Sequence, residues 1–557
     1  MVTSSHADEL HDVCAQAARG IHDECASVLA PRSQEIGNKE EAVSPLAGCG
    51  LALVDLLSRQ AAQVHSCYRA STTGDEPTLS PPPVGQAQAL VLKRLDDLIS
   101  IAYAKFYAFL FKDLPVCWRQ LYTDASILKF CFTLLYTPYV GRHTYHLRDL
   151  RESRSSSGHK PSVVLSPPPC DLGELVKILD LAIILAGAAG EQRGRRWIDQ
   201  ALGELQRAWV EVDGENGLPL IDRSPKRLKL STGLNSHDGL GLEERYGTTF
   251  ATHEPFTPPV KHPTKTVDAL SMQQFQVHMD RPQDPKLGPE PLVLRRAIEE
   301  WPALSTCPWR FPSYLLSRTF GGRRLVPVEI GRSYVDEGWG QKLIRFGELL
   351  ENYIDPSLSK DKAKVESADE SRKSPSAATA PPVAYLAQHP LFSQLPALRS
   401  DILIPDYCYT SPPLHPADPN MDQPELDEPL LNAWFGPPGT ITPLHTDPYH
   451  NILAQVVGRK YVRLYSPLET HRMHARGKED GVDMGNTSLV DVGIVEGWDD
   501  TPVQDEETKV QQNSAAFKDV PYVDCILEPG DVLYIPIGWW HYVRGLSVSF
   551  SVSFWWN

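Results

Sequence analysis

The chain has no Cys-x-x-C pair, although it carries ten cysteines in 557 residues. They are scattered, Cys14, Cys117, Cys408 and Cys525 among them. That spread speaks for free thiols in a reducing compartment and against a disulfide scaffold or a zinc cluster. Long apolar runs are also missing. The most apolar stretch, 175–189, contains Lys177 and Asp180 and falls short of the ~20 residues a bilayer demands. It is expected to be a buried helix. The opening residues, Met-Val-Thr-Ser-Ser-His-Ala-Asp-Glu, offer neither a basic start nor an apolar core, so no signal peptide is expected. Basic charge is in deficit too, with 54 Lys and Arg against 70 Asp and Glu and a net charge of −16. A nucleic-acid-binding surface therefore does not dominate the molecule.

Proline is plentiful, at 48 residues, well above the usual share of about 5%. It gathers with serine and threonine in 71–85 and 154–169, which read as surface loops. Around them, helical spacing recurs. One stripe is Leu51, Val54, Leu57 and Ala61. A second is Leu90, Leu92, Leu95 and Leu98, and a third is Trp197, Ala201, Leu205 and Trp209. Pro115 begins another helix, with Val116, Trp118, Leu121 and Tyr122. Aromatic stripes of this kind are read as core. The expected organisation is a helical region over 1–212, a flexible linker over 213–265 and a strand-rich domain over 266–557. Insertions without fixed structure are expected near 355–382 and 471–518. Within the linker, Arg223-Ser-Pro-Lys-Arg-Leu-Lys-Leu230 is a basic cluster suited to a nuclear-import receptor. Nuclear localisation is expected, with the cytoplasm as a second location.

The chemistry concentrates in Asn432-Ala-Trp-Phe-Gly-Pro-Pro-Gly-Thr-Ile-Thr-Pro-Leu-His-Thr-Asp447. On a strand, positions i and i+2 share a face, so His445 and Asp447 can converge on one point. A third ligand is expected from His541, just beyond the strand-like Asp531-Val-Leu-Tyr-Ile-Pro536. Two imidazoles and a carboxylate on one side of a metal leave the opposite positions open, the arrangement of non-haem Fe(II) oxygenases. Asn451 keeps the parity of His445 and Asp447. Gly458-Arg459 suits a type II′ hairpin turn. The returning strand begins at Lys460, a costly residue inside a barrel unless it meets an anion. Farther on, Glu528-Pro-Gly-Asp531 signals a type II turn. In 547–554, valine and phenylalanine alternate strictly with serine. One face of that strand should meet a core and the other a polar cavity or solvent.

These blocks resemble the JmjC branch of the 2-oxoglutarate oxygenases, and within it the JmjC-only group. The resemblance also covers Tyr385-Leu-Ala-Gln-His-Pro-Leu-Phe392, Ile404-Pro-Asp-Tyr-Cys408, Leu464-Tyr-Ser-Pro467 and Ser549-Phe-Ser-Val-Ser-Phe-Trp-Trp556, roughly the C-terminal half. It implies an α+β chain in which a helical region precedes a double-stranded β-helix (jelly-roll, cupin-like). It implies Fe(II) held by His445, Asp447 and His541, with O₂ and 2-oxoglutarate as cosubstrates. Lys460 would take the far carboxylate of 2-oxoglutarate, helped by the hydroxyls of Tyr385 and Thr442 and a polar contact from Asn451. Glu329, Trp339, Gln388 and Trp434 would line the pocket for a substrate side chain. A buried glutamate there would suit a guanidinium or ammonium, and Trp339 could stack on it.

Two reactions remain open, hydroxylation of an arginine- or lysine-type side chain and demethylation of N-methyl-lysine on a basic protein such as a histone. The absence of a zinc-finger, Tudor-like or PHD-like reader cluster leans toward the hydroxylase. The alternative is a non-catalytic JmjC-like scaffold that binds protein partners. Acidic residues at Asp418, Asp422, Glu425, Asp427 and Glu428, and again over 499–507, should border the barrel mouth and favour a basic protein substrate. No nucleic-acid or membrane partner is expected, and the chain is expected to be a monomer, because no helices trail the last strand.

Overall fold

The computed structural model describes residues 6–30, 44–73, 84–109, 113–135, 171–215, 247–335, 338–356, 383–418, 421–479, 482–500 and 517–557. The chain divides into two compact units, Met1–Leu228 and Lys229–Asn557. The basic cluster at 223–230, the 154–169 loop and nearly all of 355–382 lie outside the described residues.

The first unit is helical: α1 (His6–Leu29), α2 (Leu51–Thr73), α3 (Val84–Phe106), α4 (Val116–Leu135), α5 (Leu172–Ala186) and α6 (Gly194–Glu215). Leu10, Cys14, Ala17, Ile21 and Cys25 form the buried stripe of α1, repeating at three or four residues as one helix face requires. From Gln120 onward α4 is buried on nearly every side and forms the centre of the bundle. Asp171 caps α5 by accepting from Gly173 N, and Gly187 closes it in the left-handed conformation at φ 67°. The apolar 175–189 stretch is thus an interior helix, and among the described residues no helix is long and apolar enough to cross a membrane. On α3 the buried line is Val91, Leu95, Leu98 and Ala102, whereas Leu90 is 54% exposed. Of the expected leucine stripe, Leu95 and Leu98 lie on that line, and Val91 takes the place given to Leu90. Buried charge is matched inside the bundle, where the Arg193 guanidinium bridges Asp124 at 3.2 Å and also reaches Glu24.

The second unit is built on strands. They run β1 (Thr266–Asp268), β2 (Leu292–Arg295), β3 (Leu325–Ile330), β4 (Gly340–Arg345), β5 (Ala384–His389), β6 (Leu430–Gly436), β7 (Ile441–His445) and β8 (His450–Val457). After them come β9 (Lys460–Tyr465), β10 (Lys478–Glu479), β11 (Val482–Asp483), β12 (Tyr522–Leu527), β13 (Val532–Ile535), β14 (Trp540–Gly545) and β15 (Ser549–Trp556). A nine-stranded sheet has the order β1-β2-β13-β8-β15-β6-β5-β3-β4, and a four-stranded sheet has β12-β9-β14-β7. Helices followed by this jelly roll make the chain α+β. Gly458 turns β8 into β9 at φ 65°, and a Cβ there would lie 1.9 Å from Val548 O, so only glycine fits. Asp531 N donates to Glu528 O at 3.0 Å with Gly530 at φ 98°, as a type II turn requires.

Strand β15 is buried on both faces. Phe550, Val552 and Phe554 enter the main core, where Phe550 packs on Trp309 and Phe435. The serine face looks into a polar interior: Ser551 donates to Gln455 Oε1 at 2.7 Å and Ser553 accepts from Trp434 Nε1 at 2.9 Å.

Two segments depart from expectation. Residues 247–265 belong to the barrel unit: Phe250 sits in the main core, Glu254 pairs with Arg459 at 2.8 Å, and Asp524 accepts from the Lys261 and His262 amides. Much of 471–500 is folded as well, carrying β10, β11 and a helix, Val492–Glu496, capped by Asp491. Its acidity is not mere solvation. Asp499 grips Arg544 through two hydrogen bonds, at 2.7 and 2.9 Å, and Arg332 at 3.0 Å, while Asp491 holds Arg332 at 2.7 Å. Residues 480–481 and 501–516 lie outside the described part.

Candidate metal centre and its pocket

His445 ends β7 and His541 lies opposite it on β14, as direct cross-strand partners. Their rings are 4.1 Å apart between centroids. Asp447 follows two residues on, where the chain leaves β7. Its Oδ1 is 3.5 Å from His445 Nε2 and its Oδ2 is 3.5 Å from His541 Nε2. One donor atom from each residue lies within 4.8 Å of the others. The second ring nitrogens fix the tautomers. His445 Nδ1 donates to Pro443 O at 2.8 Å and His541 Nδ1 to Trp539 O at 3.1 Å. A carbonyl can only accept, so each Nδ1 carries a hydrogen and each Nε2 faces the shared centre. Burial drives the His541 imidazolium down to about 4. Burial works against the His445 imidazolium too, but the Asp447 carboxylate holds it above its ordinary value. A divalent metal at the centre would displace that proton, and two imidazoles with a carboxylate then leave positions open.

A cavity of about 260 Å³ opens beside these residues, lined among others by Glu329, Tyr334, Tyr385, Gln388, Trp434 and Thr442. Behind its wall lies Lys460, 1% exposed. Its Nζ donates to the Tyr385 hydroxyl at 3.2 Å and to Trp434 O at 3.4 Å. Burial lowers the ammonium to about 7, with no charged group contributing. Thr442 hydrogen-bonds the Tyr385 phenol. A buried amine that meets only neutral oxygens, beside two hydroxyls, is a cradle suited to an anionic carboxylate.

Residues 286–557 match the family described as a cupin-like domain. The match takes in 272 of the 557 residues, just under half of the chain. Curated relatives are similar to this chain over about half of its length. Lysine-specific demethylase 8 of Danio rerio is 38% identical over 305 residues, which is 55% of this chain and 62% of the relative. Lysine-specific demethylase 8 of Xenopus tropicalis is 39% identical over 287 residues, 52% of this chain and 51% of the relative. Jumonji C domain-containing protein 5 of Drosophila melanogaster is 36% identical over 291 residues, 52% of this chain and 59% of the relative. The chain thus spans about half to three fifths of the length of these curated relatives.

Other residues named from the sequence fall around the cupin-like pocket in distinct ways. Glu329 lines it, accepts from the Trp339 indole and is raised above the usual carboxylate range by burial. Trp339 itself stands outside the lining and is 37% exposed. Gln388 lines the pocket from the irregularity between β5 and β6, in the left-handed region at φ 44°. Holding a glutamine there costs of order 1 kcal/mol or more and marks a side chain aimed by its backbone. Asn451 lies off the lining; it donates to Asp447 Oδ2 at 2.8 Å and so braces the carboxylate of the triad.

Six lining residues had not been singled out: Tyr334, Ala387, Ile441, Pro448, Asn486 and Trp555. Trp555 keeps the parity of Ser549, Ser551 and Ser553, so the alternation points it to the interior. Tyr334 and Asn486 give no such signal. Asn486 arrives through the 467–500 segment, whose backbone runs along the metal strand: Thr446 N donates to Asn486 O at 2.9 Å and Ser488 N to Leu444 O at 2.8 Å.

Proposed function

We propose that the chain is an Fe(II)- and 2-oxoglutarate-dependent protein oxygenase that acts on an arginine- or lysine-type side chain of a basic protein. The observation that carries this reading is the gathering of two Nε2 atoms and one carboxylate beside a pocket backed by a buried, anion-free lysine. His445, Asp447 and His541 would hold the metal, and Lys460, Tyr385 and Thr442 the far carboxylate of 2-oxoglutarate. Together these groups supply the oxidising chemistry by which O₂ places one oxygen on a substrate C–H while 2-oxoglutarate leaves as succinate and CO₂.

The protein's own part is positional. The backbone carbonyls of Pro443 and Trp539 keep both imidazoles turned toward the centre, and Asn451 keeps Asp447 from rotating away. Glu329, partly shielded from water, would take the cationic end of the substrate side chain, with Gln388 and Trp434 bordering it. Names of relatives favour N-methyl-lysine, where hydroxylation of the methyl carbon ends in loss of formaldehyde. A side-chain carbon would instead retain its hydroxyl. A nuclear location fits either substrate, as does a role for the helical unit in holding partners.

Mass spectrometry of basic peptides incubated with protein, Fe(II) and 2-oxoglutarate tests the reading. Gain of one oxygen marks a hydroxylase, and loss of one methylene equivalent marks a demethylase. Absence of succinate with every peptide, together with no metal binding, would return the domain to a scaffold.

A further inference from the structure

A second cavity, of about 480 Å³, lies behind the metal loop on the other face of the large sheet. Trp555 lines the metal pocket and Trp556 lines this groove, as successive residues of β15 must. Pro448, the residue after Asp447, lines both. A chain leaving the pocket across Pro448 therefore runs directly into the groove.

Its chemistry is one-sided. Asp422, Glu425 and Asp427 line it, and no lysine or arginine does so among the described residues. His450, also in the lining, has both ring nitrogens engaged, one with Tyr534 Oη and the other with Pro413 O, each at 2.9 Å. One wall presents Tyr409 and Leu414, which are 62% and 67% exposed. Trp556 is only 3% exposed, yet its indole N–H has no hydrogen-bond partner among the described residues, and neither has Asp422 Oδ2. Carboxylates and an apolar wall in one groove match an extended peptide with cationic side chains. The carboxylates face the cations, and the apolar wall covers their methylene stems.

We propose that this groove is the docking subsite for a lysine- or arginine-rich segment that flanks the modified residue of the protein substrate. The proposal rests on the oxygenase reading and deepens it. Charge complementarity and continuity across Pro448 select a basic segment over an acidic or neutral one.

Two fluorescein-labelled peptides test it. One has a single arginine among alanines and glycines; the other adds a run of lysines, placed in turn at either end. The double variant Glu425→Lys, Asp427→Lys reverses two exposed charges that lie outside the metal pocket. Peptide-free turnover of 2-oxoglutarate should stay at the wild-type level, which also attests folding. Polarisation should show the lysine-extended peptide bound at least tenfold more weakly by the variant, with the short peptide unaffected. Equal binding of the extended peptide by both proteins, or equal loss for both peptides, overturns the groove. If no peptide is oxidised yet binding of the extended one still depends on Glu425 and Asp427, the oxygenase reading falls and the groove stands. If wild type and variant oxidise short and extended peptides alike, the groove falls and the oxygenase reading stands.

Discussion

The side-chain amide of Asn451 donates to Asp447 Oδ2 at 2.8 Å, which leaves Asn451 Oδ1 with no partner among the described residues. Because a carboxylate only accepts, the amide orientation is set by Asp447 itself. Groups that brace a metal ligand typically carry a 10–100-fold share of metal affinity. Asn451→Ala should weaken Fe(II) or Mn(II) binding by about that factor, and Asp447→Ala should abolish it. Titration of the metal, without turnover, reads both. Wild-type affinity in Asn451→Ala would show that Asp447 needs no brace.

On the oxygenase reading, Lys460 would make cosubstrate binding a proton-linked event. Burial lowers its ammonium from the ordinary lysine range to about 7. Its burial thus opposes folding fully below that pH, and the penalty fades as pH rises toward the pKa of the unfolded chain. A bound dicarboxylate holds the charge in place, so 2-oxoglutarate should bind with uptake of nearly one proton above neutrality and with almost none well below it. Calorimetry in buffers of different ionisation enthalpy measures this. Lys460→Met should erase the uptake and raise the KM for 2-oxoglutarate by about two orders of magnitude or more, in line with ~3–5 kcal/mol for a buried pair that loses one partner. Proton uptake that survives in Lys460→Met would move the linkage to another group.

Asp499 ties the 482–500 segment to the barrel through Arg332 and Arg544. Asp499→Ala leaves both guanidiniums short of an acceptor and should cost about 2–4 kcal/mol locally. Hydrogen exchange should rise over 482–500 and leave β8 and β15 protected. Peptide turnover should fall further than peptide-free turnover, since Asn486 loses its support. Unchanged exchange would deny the tie any mechanical role.

Salt offers a separate check on substrate charge. Exposed carboxylates such as Glu425 and Asp427 steer cations only within a Debye length, ~8 Å at physiological ionic strength. Raising ionic strength should lower kcat/KM for a basic peptide and leave peptide-free turnover almost unchanged. A preference for acidic peptides would contradict the charge assignment.

Short-range periodicity made much of the fold readable. Strand parity aligns His445 with Asp447, the Gly458 and Glu528–Asp531 turns announce their hairpins, and the serine alternation of β15 foretells two unlike faces. What stayed hidden depends on distant contacts. Tyr334 enters the pocket from the loop after β3, and Asn486 enters along a segment whose acidic residues look solvated until Arg332 and Arg544 are found beside them. Phe250 looks like part of a linker because its apolar neighbours are remote in sequence. On α3, leucine content favours Leu90, whereas packing selects Val91. Asn451 shares the triad's parity, but only geometry shows that its amide is spent on Asp447.

The metal strand is walled on one side by residues 484–490, which reach it by backbone hydrogen bonds and hold few side chains in the pocket. The candidate metal ligands and the wall that borders the pocket are therefore separable in this fold. The three donors sit on β7, its exit and β14, whereas Asn486 rides on a segment pinned by Asp491, Asp499 and backbone hydrogen bonds. Exchange of that segment for one of different length or sequence should redirect which side chain is admitted without disturbing the arrangement of His445, Asp447 and His541. For evolution, and for anyone grafting a new recognition loop, the 484–490 wall is the interchangeable part.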